Sequence, residues 1–293
     1  MRPFSIKDLE SLSGVKAHTI RMWEQRYGIL SPERTDTNIR TYNGRDLKCL
    51  LNISLLNDLG YKISHIAKMN EEEIKKIIAD QVSESGEKHL LNVLKIAMLN
   101  YDEELWKNTT DSYLKEHSLE HTFKSLLLPF LHQIGLFWLS DSICPAQEHF
   151  VSSLIRQKFY AHIDSLPIKF DSTDTPYILF LPDGELHDIG LLMLHYLLRA
   201  SGKRSVFLGS SVPLDDLEMI SSKFEKVHFV SLITTNPSLA DAPKYVEKIN
   251  LKFAGKNCTF HLSGYSVQQL PKSNIGIVQI YSNPDEMVQI IGV

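Results

Sequence analysis

The tightest constraint on this chain is a rhythm in its C-terminal part. Five apolar runs of strand length, YILFL, SVFLG, VHFVSLIT, CTFHLSG and IGIVQIY, alternate with segments of helical spacing. Strand and helix in such succession predict an open parallel sheet with helices on both faces, a doubly wound α/β domain over residues 171–293. A polar, proline-bounded linker, SLPIKFDSTDTP, leads into it.

The 293 residues leave room for two or three domains. Residues 81–170 carry apolar side chains at helical spacing through LLNVLKIAML, EELWKNTTDSYL, FKSLLLPFLHQIGLFWL and AQEHFVSSLIRQKFYAHI, which predicts a four-helix bundle. No apolar stretch approaches the ~20 residues of a membrane span. The start, MRPFSIKDLESL, lacks the apolar core of a signal peptide. Three dispersed cysteines, Cys49, Cys144 and Cys258, fit a reduced, cytoplasmic chain without a disulfide framework.

Residues 1–80 read as a different module. Up to residue 70 there are 11 Lys/Arg against 7 Asp/Glu, a net of +4, in a chain whose total is −4. A basic head on an acidic body points to a polyanionic partner. SIKDLESLSGV predicts a helix capped by Ser5, striped by Ile6, Leu9 and Leu12, and stopped by Gly14. KAHTIRMWEQRYG follows within three residues and stops at Gly28, which makes a helix-turn-helix. Its second helix offers Lys16, His18, Thr19, Arg21 and Arg26 to a major groove, while Met22 and Trp23 are expected to pack inward. A hairpin around Arg34, Asn38, Arg40 and Tyr42 comes next, then helices from about Gly44 to Leu59 and from YKISHIAKM. The order R-x-W-E-x-R-Y-G, P-x-R-T, I-R-x-Y and G-Y-K-I-S-x-I resembles the winged DNA-binding domain of the MerR family. The resemblance implies that helix and wing dock together on double-stranded DNA, with Arg21, Arg34, Arg40 and Tyr42 on the backbone. It also implies a dimer on a roughly palindromic operator.

Within the α/β region, PDGELHDIGLL places His187 in the turn between a strand and a helix, at the carboxyl edge where such sheets bind ligands. An imidazole there can take a metal on one nitrogen and donate the other N–H to a carboxylate, with Glu185 the candidate and Asp188 a rival. Gly190 is expected to let a bulky ligand approach the backbone. One histidine is a poor cage for a bare ion, but suffices for a metal that brings its own macrocycle, a cobalamin or another tetrapyrrole. E-L-H-D-I-G, Leu208–Gly209, VSLITT near Ser231 and Ser263–Gly264 resemble the cobalamin-binding domain of methionine synthase and its relatives, a flavodoxin-like fold. The resemblance implies that His187 is the lower axial cobalt ligand, and that the displaced nucleotide tail threads past the small residues.

In the bundle, Trp138 precedes Glu148–His149 by nine intervening residues. This pattern resembles the cap of light-responsive, adenosylcobalamin-binding MerR regulators of carotenoid genes, in which E-x-H also replaces D-x-H. It implies that Trp138 covers the upper corrin face and that Glu148 and His149 meet the adenosyl group. Those relatives carry a metal-capturing histidine after the tryptophan. Here the position is Leu139, and His132 lies about two helical turns earlier, ~10 Å along the axis. The expected function is a cobalamin-responsive repressor acting as a dimer or tetramer, with no membrane partner. The alternatives are a regulator of the same architecture that works without cobalamin or with another tetrapyrrole, and a corrinoid carrier of a methyltransferase. No nucleophile triad, paired-carboxylate or phosphate-loop arrangement points to an enzyme.

Overall fold

The computed structural model describes residues 3–35, 37–58, 60–70, 72–74, 77, 87–139, 143–271 and 276–292. The side chains of residues 58, 88 and 136–139 lie outside that description. The chain divides into two compact units, Met1–Leu154 and Ile155–Val293.

The first unit opens with α1 (Ile6–Ser13) and α2 (Ala17–Tyr27). Ser5 and Asp8 cap α1 reciprocally: Ser5 Oγ accepts from the Asp8 N–H at 3.2 Å, and the Asp8 carboxylate accepts from the Ser5 N–H at 2.7 Å. Both helices end on glycines in the left-handed region, Gly14 at φ +74° and Gly28 at φ +62°, as the sequence predicts. The wing is the antiparallel pair β1 (Glu33–Arg34) and β2 (Arg40–Thr41), and Phe4 bridges to Tyr42 beside it. Next come α3 (Gly44–Asp58) and the short α4 (Ile63–Ile66).

Helices α5 (Glu87–Asn100) and α6 (Glu103–Glu116) follow. The next run starts as α7 (Leu119–Thr122), passes through a π-helical turn at Phe123–Leu127 and continues as α8 (Leu128–Leu139). The fourth long helix, α9 (Pro145–Ser165), spans the division between the units. Within the first unit the helix-turn-helix is tied to α5. Lys95, only 6% exposed, donates to the Leu12 carbonyl at 3.1 Å, and Ser54 donates to the Ser13 carbonyl at 3.1 Å. Both satisfy carbonyls that the end of α1 leaves without a helical partner.

In the second unit, β3 (Tyr177–Pro182), β4 (Ser205–Val212), β5 (Val227–Leu232), β6 (Cys258–Ser263) and β7 (Val278–Ile280) form one parallel sheet in the order β4-β3-β5-β6-β7. That is the predicted flavodoxin-like order. The helices are α10 (Ile189–Ala200), α11 (Leu214–Ser221), α12 (Ala242–Lys252) and α13 (Pro284–Ile291). Strand alternation divides the core into two layers. Ile178, Phe180, Phe229, Ile233 and Phe260 pack with Leu217, Val246 and Ile249 of α11 and α12. Leu179, Leu181, Val230 and Leu232 pack with Leu191, Leu194 and Leu198 of α10, and with Met287 and Ile291 of α13. No helix among the described residues is long and apolar enough to cross a membrane.

Candidate functional site

On α2, Ile20 and Trp23 are buried at 0% and 6%, which fixes the outward face. Lys16, His18, Arg21, Gln25 and Arg26 are exposed, and Thr19 is half-buried. Met22, expected to pack inward, is 48% exposed instead. Adjacent positions on an α-helix differ by ~100°, so Met22 and Trp23 cannot share the buried seam. Gln25 faces outward as well, a position that the sequence reading passed over. Lys16 pairs with Glu10 at 3.3 Å in the open. In the wing, Arg34 donates to Asn38 Oδ1 at 2.5 Å, and Asn38 sits at φ +63°.

Tyr42 does not reach the surface as expected. It is 1% exposed, and its hydroxyl donates to Glu24 Oε2 at 3.0 Å while Arg40 Nε donates to Glu24 Oε1 at 2.9 Å. Burial and the Glu24 contact push the Tyr42 hydroxyl well above its ordinary pKa, so it remains a donor. Glu24 thereby clamps the wing to α2, with Arg40 partly exposed at the junction. Tyr42 positions this arrangement from within the unit.

In the second unit the loop after β3 is held from three directions. Ser211 accepts from the Gly184 N–H at 3.0 Å and donates to Asp183 at 2.7 Å. Asn236 Nδ2 donates to the Asp183 carbonyl. Glu185, fully buried, is the hub. Its Oε2 accepts from the backbone N–H groups of Thr234 at 2.9 Å, Thr235 at 2.6 Å and Asn236 at 3.0 Å. Its Oε1 accepts from the N–H of Leu186 at 2.9 Å and of His187 at 3.1 Å, and pairs with His187 Nδ1 at 2.6 Å. Burial alone would raise this carboxyl, but the His187 ring and the Thr235 and Asn236 amides outweigh it and hold Glu185 far below the usual carboxylate range. An ionised Glu185 accepts only, so Nδ1 carries a proton, and in the neutral ring Nε2 holds the lone pair. The His187 side chain is 57% exposed. This donor set fits a metal that asks the protein for a single oriented nitrogen.

Asp188 is not the orienting group. It is 8% exposed and accepts from Arg156 Nε at 2.8 Å. Gly190 makes no room for a ligand either: a Cβ there would lie 3.0 Å from Leu232 Cδ1, so the glycine lets α10 settle onto β5. Gly209, at φ +83°, sits where β4 shifts register against β3. Ser231 is fully buried, and its hydroxyl finds no hydrogen-bond partner among the described residues. Alternation puts it in the layer of Phe229 and Ile233, while Val230 and Leu232 face α10. Ser263 is also fully buried, at the end of β6. Gly264, at φ +112°, lies so near Ile233 that a Cβ would stand 2.4 Å from its carbonyl oxygen. In the helical unit His149 Nδ1 pairs with Glu148 Oε2 at 2.9 Å, and His149 is 74% exposed. Trp138 and Leu139 lie on α8, and their side chains fall outside the described residues.

The anchors Thr234, Thr235 and Asn236 and the Arg156 guanidinium are functional neighbours that the sequence reading missed. They lie 49–51 and 32 positions from their carboxylates.

Residues 4–73 match the model of the MerR HTH family regulatory protein, and residues 90–161 match that of the B12 binding domain. The chain is 30% identical over 223 residues to the HTH-type transcriptional repressor CarH of Myxococcus xanthus, covering 74% of each chain. It is 26% identical to the repressor CarA of the same organism over 218 residues, which is 73% of this chain and 70% of CarA. Among solved structures it resembles the monomethylamine corrinoid protein of Methanosarcina barkeri, with a TM-score of 0.50 and 16% identity over 76% of this chain and 98% of that one. That likeness speaks to the fold alone. Winged helix-turn-helix, helical B12-binding segment and flavodoxin-like sheet thus occur in one polypeptide, and the chain belongs to the family of CarH, MerR-type DNA-binding transcription regulators that carry a cobalamin-binding domain.

Proposed function

We propose that this regulator is a repressor whose hold on its operator is set by adenosylcobalamin, with His187 as the lower axial cobalt ligand. The observation that carries the reading is the 2.6 Å pair between His187 and the fully buried Glu185. A carboxylate held by three consecutive backbone amides and given over to one imidazole fixes a tautomer and a ring direction, which a metal ligand needs and a surface histidine does not. When bound, adenosylcobalamin supplies a cobalt–carbon bond that visible light can break. Glu185 keeps the His187 proton on Nδ1, and Nε2 is then the nitrogen presented to the metal. Ser263 and Gly264 are proposed to line the path of the nucleotide tail. From the helical unit, Trp138, Glu148 and His149 are proposed to meet the upper group. Leu139, next to Trp138, would bring no nitrogen to that group.

Lys16, His18, Thr19, Arg21, Arg26, Arg34 and Arg40 are proposed as the DNA contacts on a roughly palindromic operator. Binding as a homo-oligomer in the cytoplasm completes the reading, with no catalytic step. A ligand that favours one assembly changes how many heads meet one operator, and this suffices to couple cofactor to DNA. The test is dark incubation with adenosylcobalamin followed by gel filtration and absorption spectroscopy. A coloured protein peak and a cofactor-dependent duplex affinity are expected; a colourless peak would contradict the proposal. A second reading, a regulator of this architecture that works without cobalamin, draws on Val230 and Leu232, apolar side chains that fill the α10 side of β5. Equal duplex affinities with and without cofactor would favour it.

A further inference from the structure

Helix α2 turns His18, Met22 and Gln25 outward from its buried seam. With Ile20 and Trp23 inside, a period of ~100° per residue sets His18 and Gln25 opposite the seam and Met22 ~50° to one side of that line, in an outward strip flanked by Arg21 and Arg26. His18 and Gln25 lie one turn before and one turn after Met22, so along the axis the thioether stands midway between them. Thr19 Oγ1 and His18 Nε2 are 3.2 Å apart, which ties the histidine to its own helix. The two arginines carry the charge that meets phosphates, and the strip between them carries what reaches base edges.

Met22 is the apolar member of that strip, 48% exposed on a helix that is otherwise polar outward. A solvated methionine in this position gains nothing from the core. The major-groove edges of the four base pairs present one apolar group, the 5-methyl of thymine. We propose that Met22 is a specificity-determining residue that packs on a thymine methyl in each operator half-site, flanked by polar readout from His18 and Gln25. This rests on DNA binding by α2 and goes beyond it by naming the base.

The experiment uses the full-length chain, with and without adenosylcobalamin, to enrich duplexes from a random-sequence pool. Thymines of the enriched site are then replaced one at a time by deoxyuridine, which removes only the methyl. One position per half-site should weaken wild-type binding about fourfold, the worth of one apolar carbon taken out of water. Met22→Ala should be indifferent to that replacement, and Met22→Leu should keep the sensitivity. Because the side chain is exposed, both variants should melt with the wild type. Silence at every replaced thymine, or undiminished sensitivity in Met22→Ala, overturns the inference while leaving DNA binding intact. Failure of the wild-type chain to enrich any duplex overturns both.

Discussion

Glu185 Oε1 meets His187 Nδ1 at 2.6 Å, and the same carboxylate takes three successive backbone N–H groups from Thr234 to Asn236 on its other oxygen. The imidazole is thereby fixed from the far side of the sheet edge, by the loop that follows β5. Its direction is a property of two loops together.

Replacing Glu185 with Gln keeps the shape and removes the charge. The amide cannot accept on both sides, so ring orientation and basicity both suffer. Cobalamin affinity should fall 10- to 100-fold, the range for such an orienting partner, as read by spectral titration. Glu185→Ala should also lower the melting temperature, because several buried N–H groups lose their acceptor at ~1–3 kcal/mol each. An affinity unchanged in the Gln variant would show that the pair does not serve a ligand.

Acid should weaken the second unit. Burial, and then Arg199, pushes His195 down to about 4; burial, and then His228, pushes His261 down to about 4. His261 lies in a neutral chain: His228 Nδ1–H donates to its Nε2 at 3.0 Å, its Nδ1–H to the Tyr281 hydroxyl at 2.7 Å, and that hydroxyl to Gln279 at 2.7 Å. These folded values lie below the unfolded one of ~6.5, so the unfolded chain binds more protons as pH falls, and stability drops between about 6.5 and 4. His195 alone contributes on the order of 3 kcal/mol of that loss at pH 4. Glu185 adds a further loss below its unfolded range, near 4.5. Urea melts followed by circular dichroism across this window check the slope, and a flat profile contradicts it.

The wing clamp separates stability from DNA contact. Tyr42→Phe removes a buried bond to a charged acceptor and should cost about 1.5–3 kcal/mol, seen as a lower melting temperature. Arg21→Ala should leave melting unchanged and reduce the slope of log affinity against log salt by about one. The opposite pattern would place Tyr42 on the phosphates after all.

Arg156→Met should uncouple α9 from the start of α10, because the half-buried pair to Asp188 at 2.8 Å is lost and the carboxylate stays in place. A loss of about 1–2 kcal/mol is expected, with cobalamin affinity falling less than in Glu185→Gln. Affinity falling further than in that variant would make Asp188 the cofactor's partner.

The strands, the parallel order and the helix stops were legible because each rests on local rules: apolar runs of strand length, and glycines at left-handed ends such as Gly14 and Gly28. Met22 was misread since an adjacent Met–Trp pair looks apolar as a unit, although the helix period admits one of the two to the core. Choosing between Glu185 and Asp188 needed coordinates, for they stand two and one positions from His187 and differ in partners far along the chain. The face that Ser231 takes was not legible either, because a one-residue slip along a strand exchanges the two faces of the sheet.

The most direct measurement of His187 as metal ligand is electron paramagnetic resonance of the reduced, cob(II)alamin-loaded chain grown on nitrogen-15 histidine. Each cobalt line should split into two, the mark of one nitrogen-15 axial donor, and the pattern should vanish in His187→Ala. A three-line splitting that ignores the label would mean that the cofactor keeps its own base, and would contradict the assignment.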